Sequence, residues 1–392
     1  MATVMQNSAS QKQTFIVAGL SLISIAMLAM IYFVPIWWVS LTAPNYPPEA
    51  FPDGVRIHFH MNGVFNGCEM VEKAEIQEDE ALDCVHEMDT INHYVGMYPI
   101  STGGPVERGY SQFLISFLII MLIGFICTKP RVRTALMAVG FAGLLGWMYA
   151  TIYGNNGVAL QSAGYLTALV TALDQDTSKE IEVSPAQALI DRMQQSLAAS
   201  GVDVDETASK TDESSEKELM FGQLKTNFET DIAKRGTGEE WNGSSFQVIS
   251  WHYTKTLGRY FNNPEEITPM VGKLKLAVHG VFVVLVGAML LLLWGAAKNI
   301  KPLYWLLVAV PIALPIFFII DYAAWLWWFG HNMNEMGAFT VKPFMPTVFG
   351  QGKVAQFATH SYPYIGFGLM VLSSLALAIA ALIRRKQFRE GE

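Results

Sequence analysis

The stretch LAVHGVFVVLVGAMLLLLWGAA, residues 276–297, decides the class of fold. It is an unbroken apolar run whose one ionisable side chain is His279. A helix needs about 20 apolar residues to cross the ~30 Å hydrocarbon core of a bilayer. The stretch therefore predicts a membrane-spanning helix.

The rest of the sequence has the same character. Of the 392 residues, 52% are hydrophobic and only 15% are charged, whereas soluble domains carry about 25% charged residues. Further apolar stretches of spanning length lie at 15–38, 112–127, 135–153, 303–329 and 364–383. No small-residue cleavage site follows the apolar core of the first stretch, which favours an anchor over a removable signal. We expect an all-α membrane protein with six transmembrane helices.

Short basic segments set the expected orientation. They contain Lys129, Arg131 and Arg133 between the second and third spans, Lys298 and Lys301 between the fourth and fifth, and Arg384, Arg385, Lys386 and Arg389 after the sixth. Basic residues favour the cytoplasmic side of a membrane. Both termini are therefore expected inside, and the three longer connecting segments outside.

This topology divides the chain into spans and loops. In order, these are the N-terminal tail with the first span (1–38), an extracytoplasmic cap loop (39–111), the second and third spans (112–153), a long acidic outer loop (154–275), the fourth and fifth spans (276–329), an outer loop with histidine and methionine (330–363), and the sixth span with a basic tail (364–392).

Two outer stretches carry further structural information. The alternation Val-Arg-Ile-His-Phe-His-Met at 55–61 predicts a strand, so we expect the cap to be small and partly β. The acidic, Ser/Thr-rich stretch 202–218 has too little apolar surface to offset its ordering entropy. We therefore expect the long loop to be partly disordered.

Composition and motifs exclude several classes of function. The net charge is −8 and no basic stripe is present to neutralise phosphates, so nucleic-acid binding is not expected. Three cysteines are too few for a disulfide scaffold. The sequence has neither a Walker A motif nor a Gly-x-Gly-x-x-Gly run, which argues against ATP-driven transport by this chain alone.

Histidine and methionine residues gather in the expected outer loops. Imidazole together with thioether sulfur suits copper, because sulfur is a soft ligand. The candidate copper ligands are His58, His60, Met61, His93, Met97, His331, Met333 and Met336. Six of them have a plainer alternative: a solvent-facing strand for His58 and His60, interface packing for Met97, and a mobile loop surface for His331, Met333 and Met336.

The cysteines Cys68 and Cys84 lie in the first outer loop. A disulfide that closes a hairpin is the preferred interpretation, because this side of the membrane is oxidising. Metal ligation by the two thiolates is the alternative, since His86 and Met88 closely follow Cys84.

The sharpest local motif is Asn92-His93-Tyr94-x-Gly96-Met97. Residues His93 and Met97 are four apart, so on a helix they would share one face. Asn92 could orient the imidazole ring of His93, and Gly96 permits a close backbone approach.

Several motifs together resemble a loosely described family of bacterial membrane proteins. They are Trp37-Trp38, Leu41-x-Ala43-Pro44-x-Tyr46-Pro47, Ile91-Asn92-His93-Tyr94-Val95-Gly96-Met97, Phe344-x-Pro346-x-x-x-Gly350 and Tyr362-Pro363. Members are found beside copper-handling genes, notably those that serve nitrous oxide reductase. The resemblance covers under half of the chain, and it implies a bacterial inner membrane and a copper context rather than a reaction. The long acidic second loop and the Cys68/Cys84 pair depart from the family's pattern.

Two ionisable residues lie within the expected spans. His279 is in the fourth span and Asp321 is in the fifth, both in the outer half. A charge at that depth is costly unless it is paired, so we predict that the two residues pair. The alternative is that Asp321 bonds to Tyr or Trp groups or reaches outward to the interface.

The first functional hypothesis is an accessory protein that binds or delivers copper outside the membrane for a copper enzyme, without catalytic turnover. The second is a structural or electron-transfer-docking subunit of a membrane enzyme complex, whose acidic loop would steer a basic partner. The third is an ion- or proton-coupled transporter that uses His279 and Asp321. A membrane oxidase is least expected, because the spans hold too few histidines for haem or diiron ligation.

Overall fold

The computed structural model describes residues 2–68, 82–174, 213–339, 341–354 and 356–390. Its helices are α1 (Ala2–Phe33), α2 (Cys84–Tyr94), α3 (Pro105–Ile126), α4 (Pro130–Tyr153), α5 (Ala163–Asp174), α6 (Glu213–Arg235), α7 (Ser245–Leu257), α8 (Pro264–Ala297), α9 (Lys301–Ile312), α10 (Leu314–His331) and α11 (Ile365–Glu390). Its strands are β1 (Trp37–Thr42), β2 (Val55–Phe59), β3 (Val64–Asn66), β4 (Gly350–Val354) and β5 (Phe357–Pro363). The chain divides into one unit of Met1–Met148 with Gly272–Glu392, and a second unit of Tyr149–Val271.

Five helices of the described chain are long and apolar enough to cross a membrane: α1, α3, α4, α8 and α11. Within the first unit, α1 packs against α3 and α11, and α9 packs against the same two helices. Helix α3 forms the centre of the bundle, with 67% of its apolar window buried, against 17% for α8. The long apolar helices define a membrane protein.

The expected fifth span, 303–329, is broken in the structure. Helices α9 and α10 meet at a bend of 58°, and the two together are long and apolar enough to cross a membrane. Pro311 lies inside α9 near its end, and Pro315 lies in the first turn of α10. Proline lacks the N–H that continues a helix and clashes with the preceding turn, which accounts for the break.

The first expected span, 15–38, is wrong at its end. Helix α1 stops at Phe33, and Trp37 and Trp38 begin strand β1. Pro35 disfavours helical backbone at the residue before it, so the helix ends there although the apolar run continues.

The other helices extend beyond the apolar stretches that predicted them. Helix α8 begins at Pro264 rather than 276, and α3 begins at Pro105 rather than 112. The basic residues from Arg384 to Arg389 belong to α11 itself and not to a tail after it.

The five strands form one antiparallel sheet in the order β3-β2-β1-β5-β4. Within the predicted strand 55–61, residues Val55–Phe59 form β2. The central strand β1 pairs on one side with β2, where Trp38 faces His58, and on the other with β5, where Trp38 faces Tyr362. The sheet therefore joins the segment that follows α1 to the segment that precedes α11.

One buried residue anchors the sheet on the helices. The side chain of Trp37 is 1% exposed, and its ring lies 5.5 Å from the rings of Tyr322 on α10 and Phe367 on α11. Its indole N–H donates to the Ser361 hydroxyl at 2.8 Å, and Ser361 is fully buried. Strands β1 and β5 are thereby tied to α10 and α11.

The second unit is helical where it is described. Phe228 on α6 is buried and packs on Trp241 and Trp251, and the Trp251 indole donates to Asp231 at 2.9 Å. Of the stretch 202–218, for which disorder is predicted, residues 202–212 lie outside the described part of the chain. Residues 213–218 belong to α6, so the prediction is wrong for them.

Candidate functional site

Helix α2 carries the sharpest sequence motif, and its N-terminal end is fixed by a disulfide and a cap. The disulfide joins Cys68, just after β3, to Cys84, the first residue of α2. The Asp83 carboxylate caps the helix by accepting from the backbone N–H groups of Val85 and His86. Both cysteine sulfurs are therefore bonded to each other, and neither is a thiolate metal ligand in this structure.

The buried carboxylate of Asp89 ties α2 to the start of α3. Asp89 is fully buried and accepts from the Ile100 backbone N–H at 2.5 Å and from the Ser101 hydroxyl at 2.8 Å. A buried carboxylate is tolerated only when its oxygens are hydrogen-bonded, and these donors meet that need. The contact holds α2 against the short 3-10 turn Ile100–Thr102 that leads into α3.

The C-terminal end of α2 closes with a glycine turn. The Met97 N–H donates to the Asn92 carbonyl and the Gly96 N–H to the His93 carbonyl, both at 2.9 Å. Gly96 has a φ of +84°, which is the left-handed conformation expected of this helix cap. The assumed helical relation of His93 and Met97 is therefore wrong, because Met97 lies beyond the helix and is 5% exposed.

The same turn is joined by backbone hydrogen bonds to the segment that follows α10. The Asn334 N–H donates to the Gly96 carbonyl at 2.8 Å, and the Phe339 N–H donates to the Tyr94 carbonyl at 3.0 Å. A Cβ on Gly96 would lie 2.5 Å from the Asn334 carbonyl oxygen, and one on Gly337 would lie 2.7 Å from the Gly96 nitrogen. We call residues 92–97 and 332–339 the Gly96–Asn334 junction. The close backbone approach predicted at Gly96 is present there.

The junction brings candidate ligands from two distant segments into one region. His93 lies in the last turn of α2, while Met333 and Met336 flank Asn334. The Met336 backbone N–H donates to the Asn334 side-chain oxygen at 2.9 Å, which fixes the turn that carries both methionines. Met336 is 72% exposed. Partial burial lowers the pKa of His93, so its imidazole is neutral at pH 7 and able to act as a ligand.

The strand histidines lie in a different setting, against aromatic rings. His58 stacks on Tyr364 at 5.3 Å, and burial followed by the Arg56 charge lowers its pKa. His60 contacts the edge of Phe65 at 4.8 Å, and burial lowers its pKa to about 4. Both rings are partly buried, so the solvent-facing alternative does not describe them.

The remaining candidates are separate again. His331 ends α10, stacks on Trp327 at 4.5 Å, and has its Nδ1 atom 2.8 Å from the Trp327 carbonyl oxygen. Met61 follows β2 and is half-buried. Across the described ranges, no three His, Cys, Asp or Glu residues group closely enough to hold a metal ion. Among the candidate ligands, His93 lies in one of the two segments that meet at the junction, and Met333 and Met336 lie in the other.

The predicted intramembrane pair of His279 and Asp321 stays a prediction. Asp321 lies one turn before Trp325 on α10, and the Trp325 indole donates to the Glu107 carboxylate on α3 at 3.3 Å. His279 lies on α8 with an exposed side chain.

Sequence reasoning missed the residues that hold the site together. Asn334, Gly337 and Asp89 make the contacts described above, and the only local signal was the turn-rich composition around Asn334 and Gly337. Comparison with known proteins finds no family model, no curated protein and no solved structure that matches this chain.

Proposed function

We propose that this membrane protein is an accessory factor that binds Cu(I) outside the membrane and delivers it to a copper enzyme. The observation that carries the proposal is the Gly96–Asn334 junction, which joins the segment of His93 to the segment of Met333 and Met336. Two parts of the chain that are far apart in sequence meet there through backbone hydrogen bonds, and both bear ligands that suit copper.

The chemistry of the junction fits a soft, exchangeable ion. A neutral imidazole and thioether sulfurs are ligands that bind copper without a thiolate. The lowered pKa of His93 reduces competition from protons near neutral pH. The exposure of Met336 leaves its sulfur accessible to a partner that would accept the metal. Met97 is a buried packing residue of the junction in this proposal, and His58, His60, Met61 and His331 are not copper ligands in it.

The arrangement in the membrane is part of the same proposal. With α9 and α10 counted as one bent span, the described part of the chain would cross the bilayer six times. The basic residues near Arg133, Lys298 and Arg384 then lie in the cytoplasm, and the sheet and the junction form a cap on the outer face of a bacterial inner membrane.

The test is a Cu(I) titration of the full chain, purified in mild detergent, against a chromophoric competitor. The triple variant His93→Ala, Met333→Ala, Met336→Ala should lose affinity by more than about tenfold, as expected when metal ligands are removed. Matched controls are Met345→Ala, an exposed methionine outside the junction, and His331→Ala, an exposed histidine on α10. Both controls should bind as the unchanged protein does. Equal affinity in the triple variant, or a larger loss in the His331→Ala control, would contradict the proposal.

A second candidate function is a docking subunit of a membrane enzyme complex that holds no metal. The exposed apolar side chains of the junction, Met336 at 72% and Phe339 at 61% exposure, favour it, because a partner protein would bury them. This function would be favoured over the first by three results together. Metal-free protein should capture a partner enzyme, Phe339→Ser should abolish that capture, and the protein should show no measurable Cu(I) binding.

A further inference from the structure

Two arginines of the first unit are buried at the end of the helix bundle opposite to the sheet. Arg133, in the first turn of α4, is 3% exposed, and Arg384, on α11, is 2% exposed. An arginine side chain is almost never fully buried unless an anion or a dense set of acceptors compensates it. We call these two residues the arginine pair.

The two guanidinium groups converge on the same neighbours. Arg133 lies over the Tyr304 ring at 4.8 Å and donates to the Asn299 side-chain oxygen at 2.8 Å. Arg384 lies over the Phe125 ring at 5.7 Å and donates to the Ile126 carbonyl at 3.1 Å. The Tyr304 and Phe125 rings stack at 5.5 Å, and the Tyr304 hydroxyl donates to the Phe125 carbonyl at 2.9 Å, so the two arginines lie on one pair of stacked rings.

All of the hydrogen-bond partners shown for the pair are neutral. They are an asparagine amide for Arg133, and for Arg384 a backbone carbonyl and the Gln387 side-chain oxygen at 3.0 Å. The ion pairs found in the described chain lie elsewhere, at Arg56, Lys225 and Arg235. The Nε atoms of Arg133 and Arg384 are both buried without an acceptor in the described part of the protein. Within that part, two positive charges are thus enclosed without a counter-charge.

The surrounding sequence adds positive charge and supplies no carboxylate close by. Residues 127–134 and 298–303 contain no acidic residue, and the first one after Arg384 is Glu390, about 9 Å further along the helix axis. The basic residues of this end are Lys129, Arg131, Lys298, Lys301, Arg385, Lys386 and Arg389. The buried charges of Arg133 and Arg384 therefore need an anion from outside the described chain to compensate them.

We propose that the arginine pair binds a phosphate group at the level of the membrane headgroups. Guanidinium is planar and offers paired donors that match phosphate oxygens. Basic pockets between membrane helices recognise the headgroups of acidic lipids. The pair lies where α3, α4, α9 and α11 end, which is the depth of such headgroups in a spanning bundle. The phosphate belongs to an acidic phospholipid, and a soluble phosphate is the other source of the same chemistry. The proposal does not depend on copper binding.

The experiment uses the full chain in nanodiscs and measures thermal unfolding and retained lipid. Nanodiscs of phosphatidylcholine alone are compared with nanodiscs that also hold phosphatidylglycerol or cardiolipin, and with phosphatidylcholine nanodiscs in millimolar inorganic phosphate. The acidic lipids should raise the unfolding temperature, and native mass spectrometry should show a retained acidic lipid. A rise in the unfolding temperature with inorganic phosphate but not with acidic lipid would support the anion site, and it would show that the occupant is soluble phosphate rather than a lipid.

Matched variants assign the effect to the buried pair. Arg133→Gln with Arg384→Gln removes two buried charges, whereas Arg131→Gln with Arg385→Gln removes two exposed ones from the same segments. Retention of acidic lipid should fall by about tenfold or more in the first variant, as expected for the loss of hydrogen bonds to charged groups, and little in the second. Equal retention in both would overturn the proposal. If the first variant does not fold, the unchanged protein still tests the proposal. The proposal is overturned if neither acidic lipid nor inorganic phosphate raises the unfolding temperature of the unchanged protein above its value in neutral lipid.

Discussion

The indole N–H of Trp37 donates to the hydroxyl of Ser361 at 2.8 Å, although the two residues lie 324 positions apart. The Ser361 hydroxyl donates in turn to the Val348 carbonyl at 2.8 Å and lies 3.3 Å from the Tyr322 hydroxyl. One small side chain thus connects β1, β5 and α10, and the connection is buried from solvent.

Replacement of this hydroxyl should destabilise the protein. Ser361→Ala leaves the Trp37 N–H and the Val348 carbonyl without this partner, which costs about 1–3 kcal/mol for a buried polar group. The measurement is thermal unfolding in detergent. The control is Ser374→Ala on α11, since that hydroxyl bonds the Met370 carbonyl of its own helix. Equal unfolding temperatures for the two variants would show that the Trp37–Ser361 contact adds no stability.

Substitution of Gly96 should open the junction. Gly96→Ala places a Cβ 2.5 Å from the Asn334 carbonyl oxygen and requires a φ of +84°, so we expect a loss of about 1–3 kcal/mol in stability. Hydrogen exchange at the Asn334 and Phe339 amides, which donate across the junction, should accelerate. Gly143→Ala is the control, because no atom lies within 4 Å of its added Cβ. Unchanged exchange at both amides would show that the junction does not need glycine.

The disulfide gives a chemical prediction. Unfolded, unreduced protein should take up a thiol-alkylating reagent at Cys127 alone, and reduced protein at all three cysteines, as mass spectrometry would show. Reduction should also lower stability by about 2–4 kcal/mol, because the cross-link restricts the unfolded chain. Cys127→Ser should leave both the bond and the stability nearly unchanged. Uptake of reagent at Cys68 or Cys84 before reduction would contradict the bond.

The buried ring of His60 predicts a dependence of stability on pH. Its pKa is lowered to about 4 in the folded protein, so between pH 4 and about 6.5 the unfolded state binds more protons than the folded state. The free energy of unfolding should therefore fall as the pH is lowered from about 6.5 to 4, by on the order of 2 kcal/mol from this residue. His60→Gln should flatten that part of the profile, and His331→Ala, at an exposed site, should not. Parallel profiles for His60→Gln and the unchanged protein would refute the assignment.

Apolar run length predicted the membrane helices well, because crossing a bilayer imposes a composition that is visible locally. It could not predict where the helices end. The apolar run through Trp37 and Trp38 continues past Phe33, but Pro35 and the pairing with β5 turn those tryptophans into strand residues. That pairing joins two strands that lie far apart in the sequence, and no local pattern encodes it.

Two site inferences show the same limit. The spacing of His93 and Met97 predicted a shared helix face, yet Gly96 between them ends the helix. The positive-inside rule uses the number of basic residues in each loop, so it treats every lysine and arginine alike. Burial separates Arg133 and Arg384 from their exposed neighbours Arg131 and Arg385.

The strand order has a consequence for biosynthesis. Strand β1 leaves the ribosome right after the first helix, but its partner β5 comes just before the last one. Until β5 has been made, β1 keeps one edge unpaired and Trp37 lacks Ser361. An open edge of this kind invites pairing with other chains. A nascent chain halted before residue 357 would present that open edge.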